Sequence, residues 1–193
     1  MKNTLDEEYE VRSVSFEPFT ADDAGDAERL FHETVHAVNA RDYSLPQLDA
    51  WAPCEETQRR KIIERLRRQE GVAARERGIL VGFGTLCKDG VDMLYVHKDR
   101  QGRGIARRIL LELERMAAER GRADIVVFAS ITARPFFGKM GYGLDCMNAA
   151  VRNGVVLANC RMSKPLASGS AERKIDGDGG SQSDRERAWL FAS

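Results

Sequence analysis

The sequence predicts an α/β domain, a central mixed sheet of about seven strands with helices on both faces. Three observations predict it. Short alternating segments are joined by glycine-containing turns, as antiparallel hairpins require. Residues 124–128 are nearly all apolar, which reads as a strand buried on both faces and parallel to its neighbour. Residues 102–120 form a helix with a continuous apolar stripe, lying between the hairpins and that strand.

In chain order, residues 9–16 alternate as a first strand does. Thr20 precedes Ala21-Asp22-Asp23, an N-cap followed by acidic residues that suit the positive end of a helix. The helix places Ala27, Leu30, Phe31, Thr34, Val35 and Val38 on one face. Pro46 opens a short helix that runs through Trp51. Residues 55–68 form a charged helix with Ile62, Ile63 and Leu66 on its apolar side. Its Arg59, Arg60, Lys61, Arg65, Arg67 and Arg68 read as a solvated face. Strands at 72–76 and 79–86 meet at Arg77-Gly78, and 79–86 meets 91–96 at Lys88-Asp89-Gly90. The helix at 102–120 buries Ile105, Ile109, Leu113, Met116 and Ala117, and Gly121 closes it. A short helix at 133–140 leads to a hairpin of 142–151 and 155–162 around Asn153-Gly154.

The expected organisation is a single domain over residues 9–166. Residues 1–8 read as a frayed start, and 167–193, rich in serine and glycine, as a flexible tail. Thirty basic residues balance thirty acidic ones, so no concentrated basic surface for nucleic acid is expected. No apolar run approaches the roughly 20 residues that span a bilayer, and the polar, acidic N-terminus does not read as a signal peptide. The four cysteines are scattered, without a Cys-x-x-Cys pair. They fit free thiols in a reducing cytoplasm, and no metal is expected.

The segment 91–111 carries most of the chemistry. A strand runs into Gly102-Arg103-Gly104 and then into the strongest helix of the chain. The first turn of a helix leaves N–H groups without intrahelical partners at the positive end of its dipole. Glycines let a phosphate approach those groups without a Cβ clash, and Arg100, Arg103 and Arg107 are near enough in sequence to add charge. The Gly-x-x-x-x-Gly-Lys-Ser/Thr of a P-loop is absent, and the third glycine of a dinucleotide fingerprint is replaced by Arg107.

These residues resemble a known family. Gln101-Gly102-Arg103-Gly104-Ile105-Ala106 is similar to the Gln/Arg-x-x-Gly-x-Gly/Ala signature of the GNAT acetyltransferases. Leu94-Tyr95-Val96 resembles their fourth strand, and Ala133-Arg134-Pro135-Phe136-Phe137-Gly138-Lys139-Met140-Gly141-Tyr142 their closing motif. Within the family the chain looks most like a YafP-like subgroup. The resemblance implies the GNAT fold and an acetyl-CoA-dependent N-acetyltransferase, in which a primary amine attacks acetyl-CoA directly in a ternary complex. By the same resemblance, the amides of Gln101, Gly102, Arg103, Gly104, Ile105 and Ala106 hold the CoA pyrophosphate. The strand Leu94-Tyr95-Val96 takes the pantetheine arm through the backbone of Leu94 and Val96, and the Val96 N–H polarises the thioester. Ser130 stands where many members place an asparagine that touches the arm, and Phe136 and Phe137 pack near it. Phe137 also stands where many members have a tyrosine acid. The acid is therefore unassigned, and the CoA thiol can leave as thiolate, its pKa being well below that of an amine.

An amine of pKa about 10 must lose a proton before it attacks. His32, His36, Asn39, Tyr43 and Trp51 are the acceptor-wall candidates, with His36 and Tyr43 as catalytic proton carriers beside Val96. Glu76 and Tyr142 are further carriers, and His97 reads as surface. The expected partner is a small-molecule or peptide amine, with no nucleic acid and no membrane; a homodimer is left open. Two other readings compete. His32-Glu33-Thr34-Val35-His36 matches the His-Glu-x-x-His of zinc proteases, with Glu33 as base. That reading leaves residues 91–142 unexplained. The other is a non-catalytic acetyl-CoA-binding domain, suggested by Phe137.

Overall fold

The computed structural model describes residues 14–88 and 90–166. The expected frayed start (1–8), the expected tail (167–193) and residues 9–13 of the predicted first strand lie outside them. The elements are β1 (Val14–Pro18), α1 (Ala24–Val38), α2 (Leu45–Trp51), α3 (Glu56–Leu66), β2 (Glu70–Glu76), β3 (Ile79–Leu86), β4 (Gly90–Val96), α4 (Ile105–Glu119), β5 (Asp124–Ser130), α5 (Arg134–Lys139), β6 (Gly143–Arg152) and β7 (Val155–Pro165). Short 3-10 turns occupy Ala21–Asp23, Asn39–Arg41 and Lys98–Arg100.

The local signals act as expected. The Thr20 N–H donates to Asp23 Oδ2 at 2.8 Å, which fixes the entry to the first helical turn. The Ser44 N–H donates to Gln47 Oε1 at 2.9 Å, with Pro46 in the first turn of α2. Arg77 and Gly78 have φ of 53° and 81°, and Asn153 and Gly154 have 50° and 78°. Two successive positive φ values give the hairpin turn whose twist matches the strands it joins.

The seven strands form one sheet in the order β1-β2-β3-β4-β5-β7-β6. Every neighbouring pair is antiparallel except β4 and β5, the parallel pair the sequence predicts. Strand alternation sorts the side chains of β4 to two faces. Leu94 and Val96 pack in the layer of α4, with Ile105, Ile109 and Leu113. Met93 and Tyr95 pack in the layer of α1 to α3, with Phe31, Leu48, Trp51 and Leu66.

The basic face of α3 differs from the solvated stripe expected of it. Arg59 turns inward and its guanidinium donates to both carboxylate oxygens of Glu28 on α1, at 2.8 and 2.7 Å. Arg65 pairs with Asp92 of β4, which also accepts from Gln69. Burial pushes the Asp92 carboxyl up, against the pull of Arg65. Helix periodicity alone does not reveal these pairs, because both acids come from other elements. Arg60 with Glu56 and Arg67 with Glu64 remain on the outer face.

Candidate functional site

The site begins with a defect in the sheet. Strands β4 and β5 register at Gly90↔Val126 and Val91↔Val127 and no further. Each keeps its other neighbour along its length: β4 pairs with β3 as far as Gly82↔Val96, and β5 with β7 as far as Ser130↔Asn159. The two strands therefore diverge towards their C-terminal ends. The direction of the backbone in the gap follows from one hydrogen bond. The His97 N–H donates to Val81 O at 2.9 Å. In an antiparallel ladder, residues alternate between facing the partner strand and facing away. The N–H and C=O of Val96 and Leu94 thus point away from β3, into the gap. The Val96 carbonyl accepts from Thr34 Oγ1 and from Gln101 Nε2, both at 3.4 Å.

The turn after β4 meets the open end of this gap. Gly102 and Gly104 have φ of 72° and 76°, and Gly104 is the N-cap of α4. The first intrahelical bond is from the Arg108 N–H to Gly104 O, at 3.0 Å. The N–H groups of Ile105, Ala106 and Arg107 therefore have no carbonyl in their own helix to bond. They face a cleft of about 480 Å³. Val96, Gln101, Gly102, Gly104, Ile105, Ala106 and Phe136 line it, together with Val38, Thr132, Ala133, Met140 and the cations Arg41, Arg100, Arg107 and Lys139. Among the described lining residues there is no carboxylate and no imidazole. The lining suits a long anionic ligand with an apolar arm, since it combines a helix N-terminus and four cations with apolar side chains and the exposed backbone of Val96.

Several residues expected at the cleft are elsewhere. The Tyr95 ring is fully buried against Phe31 and Phe83, and its backbone falls in the half of the alternation that faces β3. Ser130 is fully buried, and its Oγ accepts from the Ala133 N–H at 3.0 Å and from Asn39 Nδ2 at 3.5 Å, so it closes the turn into α5. Phe137 is fully buried, edge-on to both Phe136 and Tyr142, because neighbouring positions on a helix point about 100° apart. The Arg103 guanidinium turns to Glu76 at 3.0 Å, which leaves only its backbone for the turn. Arg100 reaches the same carboxylate at 2.7 Å. Arg100 and then Arg103 hold Glu76 below the usual carboxylate range, so it is a clamp rather than a base.

The acceptor-wall set is also divided. The Tyr43 hydroxyl donates to Ala158 O at 2.7 Å and accepts from the Ile131 N–H at 2.9 Å. Burial pushes its pKa up to about 12. It bolts α1's exit to β5 and β7 and is not available as a proton carrier. Asn39 is fully buried on Ser130, and Trp51 is core, edge-on to Tyr43. His36 Nε2 lies 2.9 Å from Ala52 O, and His32 Nε2 lies 3.3 Å from Cys54 Sγ. Burial, then the neighbouring His36, lowers the His32 pKa. Burial, then the neighbouring Glu114, pushes the Tyr142 hydroxyl well above the usual range.

A second cavity, of about 580 Å³, opens on the α1–α3 side of the sheet, between α3 and the β6–β7 hairpin. Trp51 lines it, with Lys61, Arg65 and Arg152 as its cations and Glu55 as its acid. Burial, then the positive charge of Arg65, lowers the Arg152 pKa, and Tyr95 of β4 lies within electrostatic reach of it. Sequence reasoning missed Arg41, Thr132 and Lys139 at the cleft. Lys139 stands inside the closing motif and could have been found there. Arg41 has no such signal: a 3-10 turn carries it to Thr132 O, at 3.4 Å.

The family model of the GNAT acetyltransferase domain matches residues 27–164. The chain belongs to the GNAT acetyltransferase family. This acetyltransferase is 31% identical over 113 residues to the uncharacterised N-acetyltransferase YafP of Escherichia coli strain K12, across 58% of this chain and 70% of that one. It superimposes on the GCN5-related N-acetyltransferase of Rhodopseudomonas palustris with a TM-score of 0.75 at 35% identity, covering 80% of this chain and 96% of that one. PaiA N-acetyltransferase of Thermoplasma acidophilum, in complex with coenzyme A, shares the fold, with a TM-score of 0.62 at 16% identity, covering 79% and 99%. The placement makes the protein an acyltransferase, which displaces the non-catalytic reading. It also removes the protease reading. The His-Glu-x-x-His helix is α1 of the acetyltransferase domain, and Glu33 lies 3.8 Å from His97. Among the described residues no helix is long and apolar enough to cross a membrane.

Proposed function

We propose that this acetyltransferase moves an acetyl group from acetyl-CoA to a primary amine by direct attack in a ternary complex. The observation that carries the reading is the open gap between β4 and β5 set against the bare first turn of α4. In this reading the N–H groups of Ile105, Ala106 and Arg107 hold the pyrophosphate, flanked by Arg100, Arg107, Arg41 and Lys139. Leu94 and Val96 pair with the pantetheine arm as a neighbouring strand would. Acetyl-CoA, when bound, supplies the activated acyl carbon. The Val96 N–H donates to the carbonyl oxygen on which negative charge develops. Phe137 has no proton to give, so the thiol leaves as thiolate.

The acceptor enters from the α1–α3 side, through the cavity lined by Lys61, Arg65 and Arg152. These three cations against Glu55 and the buried Asp92 favour an amine that also carries a carboxylate or another anionic group. Four free cysteines fit the cytoplasmic setting of this reading. An amine panel with acetyl-CoA, read by release of free CoA thiol, tests the acceptor. Anionic amines are expected to turn over faster than their neutral esters or amides, and the reverse order would remove the acceptor assignment. Val96→Pro tests the strand. Proline removes an N–H that β3 does not use, so the fold should survive while kcat falls by about a hundredfold or more. An undiminished rate in a folded Val96→Pro protein would sink the role of that N–H.

A further inference from the structure

The α1–α2 layer brings together one group of side chains to which the proposed acetyl transfer assigns no role. Among the described residues, His32, His36 and Cys54 each offer a ligand atom, and these atoms lie within 4.8 Å of one another. His32 and His36 are one turn apart on α1, with ring centroids 4.5 Å apart. Cys54 comes from the connection between α2 and α3, and its Sγ stands 3.3 Å from His32 Nε2. In a tetrahedral zinc site, metal–nitrogen bonds of about 2.0 Å and metal–sulfur bonds of about 2.3 Å put neighbouring ligand atoms roughly 3.5 Å apart. The His32–Cys54 separation already has that size. His36 Nε2 meets Ala52 O at 2.9 Å, with Asp49 Oδ1 at 3.9 Å. A carbonyl or carboxylate of this kind orients an imidazole whose other nitrogen binds metal.

We propose that His32, His36 and Cys54 form a binding site for a thiophilic divalent cation of the zinc type. Two imidazoles and one thiolate are the donor set such ions select. Cys54 is exposed, so the fourth position is open to water. On binding, the Cys54 S–H bond is replaced by a metal–sulfur bond and the proton goes to solvent, with no change of oxidation state. The site adds a thiol from a loop, a third ligand that the His-Glu-x-x-His pattern itself does not contain. Its place in the fold gives it a consequence. Pro53 and Glu55, on either side of Cys54, line the second cavity. A bound ion therefore staples that wall to α1.

The test uses the full chain and the bare metal. Zn²⁺ is titrated against a chromophoric chelator, and Co²⁺ is added separately to look for thiolate-to-cobalt charge-transfer absorption. The wild type should take up one Zn²⁺ and show the charge-transfer band. Cys54→Ser and His32→Gln should each weaken Zn²⁺ by about tenfold or more, and Cys54→Ser should abolish the band. His97→Gln, which alters the one remaining histidine of the chain, should change nothing. Zn²⁺ should raise Tm in the wild type and not in Cys54→Ser. Absence of Zn²⁺ uptake, or uptake that either Cys54→Ser or His32→Gln leaves intact while circular dichroism shows the variant folded, would overturn the proposal. These readouts need no acceptor and no turnover, so they stand apart from the amine panel.

Discussion

The two sides of β4 are built from different materials. On the α4 side, the cleft combines a ring of side chains with free backbone groups: the amides of Ile105, Ala106 and Arg107, and the edge of Val96. On the α1–α3 side, the wall consists of side chains held by partners from other elements, among them Arg59 on Glu28, Arg65 on Asp92 and Tyr43 on the backbone of Ile131 and Ala158. A backbone surface persists as long as the fold does and tolerates exchange of most residues. A side-chain surface changes with every exchange.

The sharpest way to break this contrast is Ala106→Glu. The position is half-buried in the first turn of α4 and lines the cleft. A carboxylate there suits the helix dipole, so stability should hold. In the proposed binding mode the same charge meets the pyrophosphate and should weaken acetyl-CoA by about a hundredfold, or ~2.7 kcal/mol. Calorimetric titration reads the outcome, and unaltered affinity would mean that the pyrophosphate lies elsewhere. Arg59→Ala probes the other wall. It leaves Glu28, only 2% exposed, without its guanidinium. Loss of one partner of a buried pair costs about 3 to 5 kcal/mol, reduced to about 2 kcal/mol here because Arg59 is itself part-exposed. Denaturant unfolding should show that loss while acetyl-CoA affinity stays within about twofold of the wild type. A parallel loss of affinity would show the two walls to be coupled.

Glu76 joins the contrast from the rim. Its folded pKa lies below the usual 4.5, held there by Arg100 and Arg103. Between the two values the unfolded chain binds more protons, so stability rises with pH through that window and is lost as pH falls through the folded value. The Tm gap between the wild type and Glu76→Gln should therefore close on acidification below 4.5. A gap that persists in acid would assign the difference to packing instead. The smallest effect is at the hairpin. Arg77 occupies φ of 53°, where asparagine is better tolerated. Arg77→Asn should stabilise by about 0.5 kcal/mol without touching either wall, and thermal unfolding would detect the wrong sign.

What the sequence made legible follows the same division. The turn at Gly102 and Gly104 was legible because a backbone site leaves a mark in glycine spacing. Asn39 was read as an acceptor-wall residue because a helical wheel sees only its own helix, and Tyr43 because the sequence does not show what its hydroxyl meets. Their partners, Ser130 and Ala158, lie 91 and 115 residues further on. Cys54 escaped for a similar reason: it sits in a connection with no period, 22 residues from His32. At Gly104 the sequence suggested only a close approach of phosphate. The positive φ adds a backbone requirement, so a β-branched substitution there would strain the turn and confound binding with folding. Ala106 is the cleaner probe for that reason.

Gly90 sits where β4 and β5 still touch. A Cβ built on it would lie 1.9 Å from the carbonyl oxygen of Val126. The residue acts as the fulcrum of a pair of tongs whose jaws are the C-terminal ends of β4 and β5. Any side chain at position 90 is a shim at the pivot and resets how far the jaws stand apart. The span from Gly90 to Val96 is about 20 Å of extended chain. The spacing of the two strands at the cleft is thus set in part from a position that does not line it.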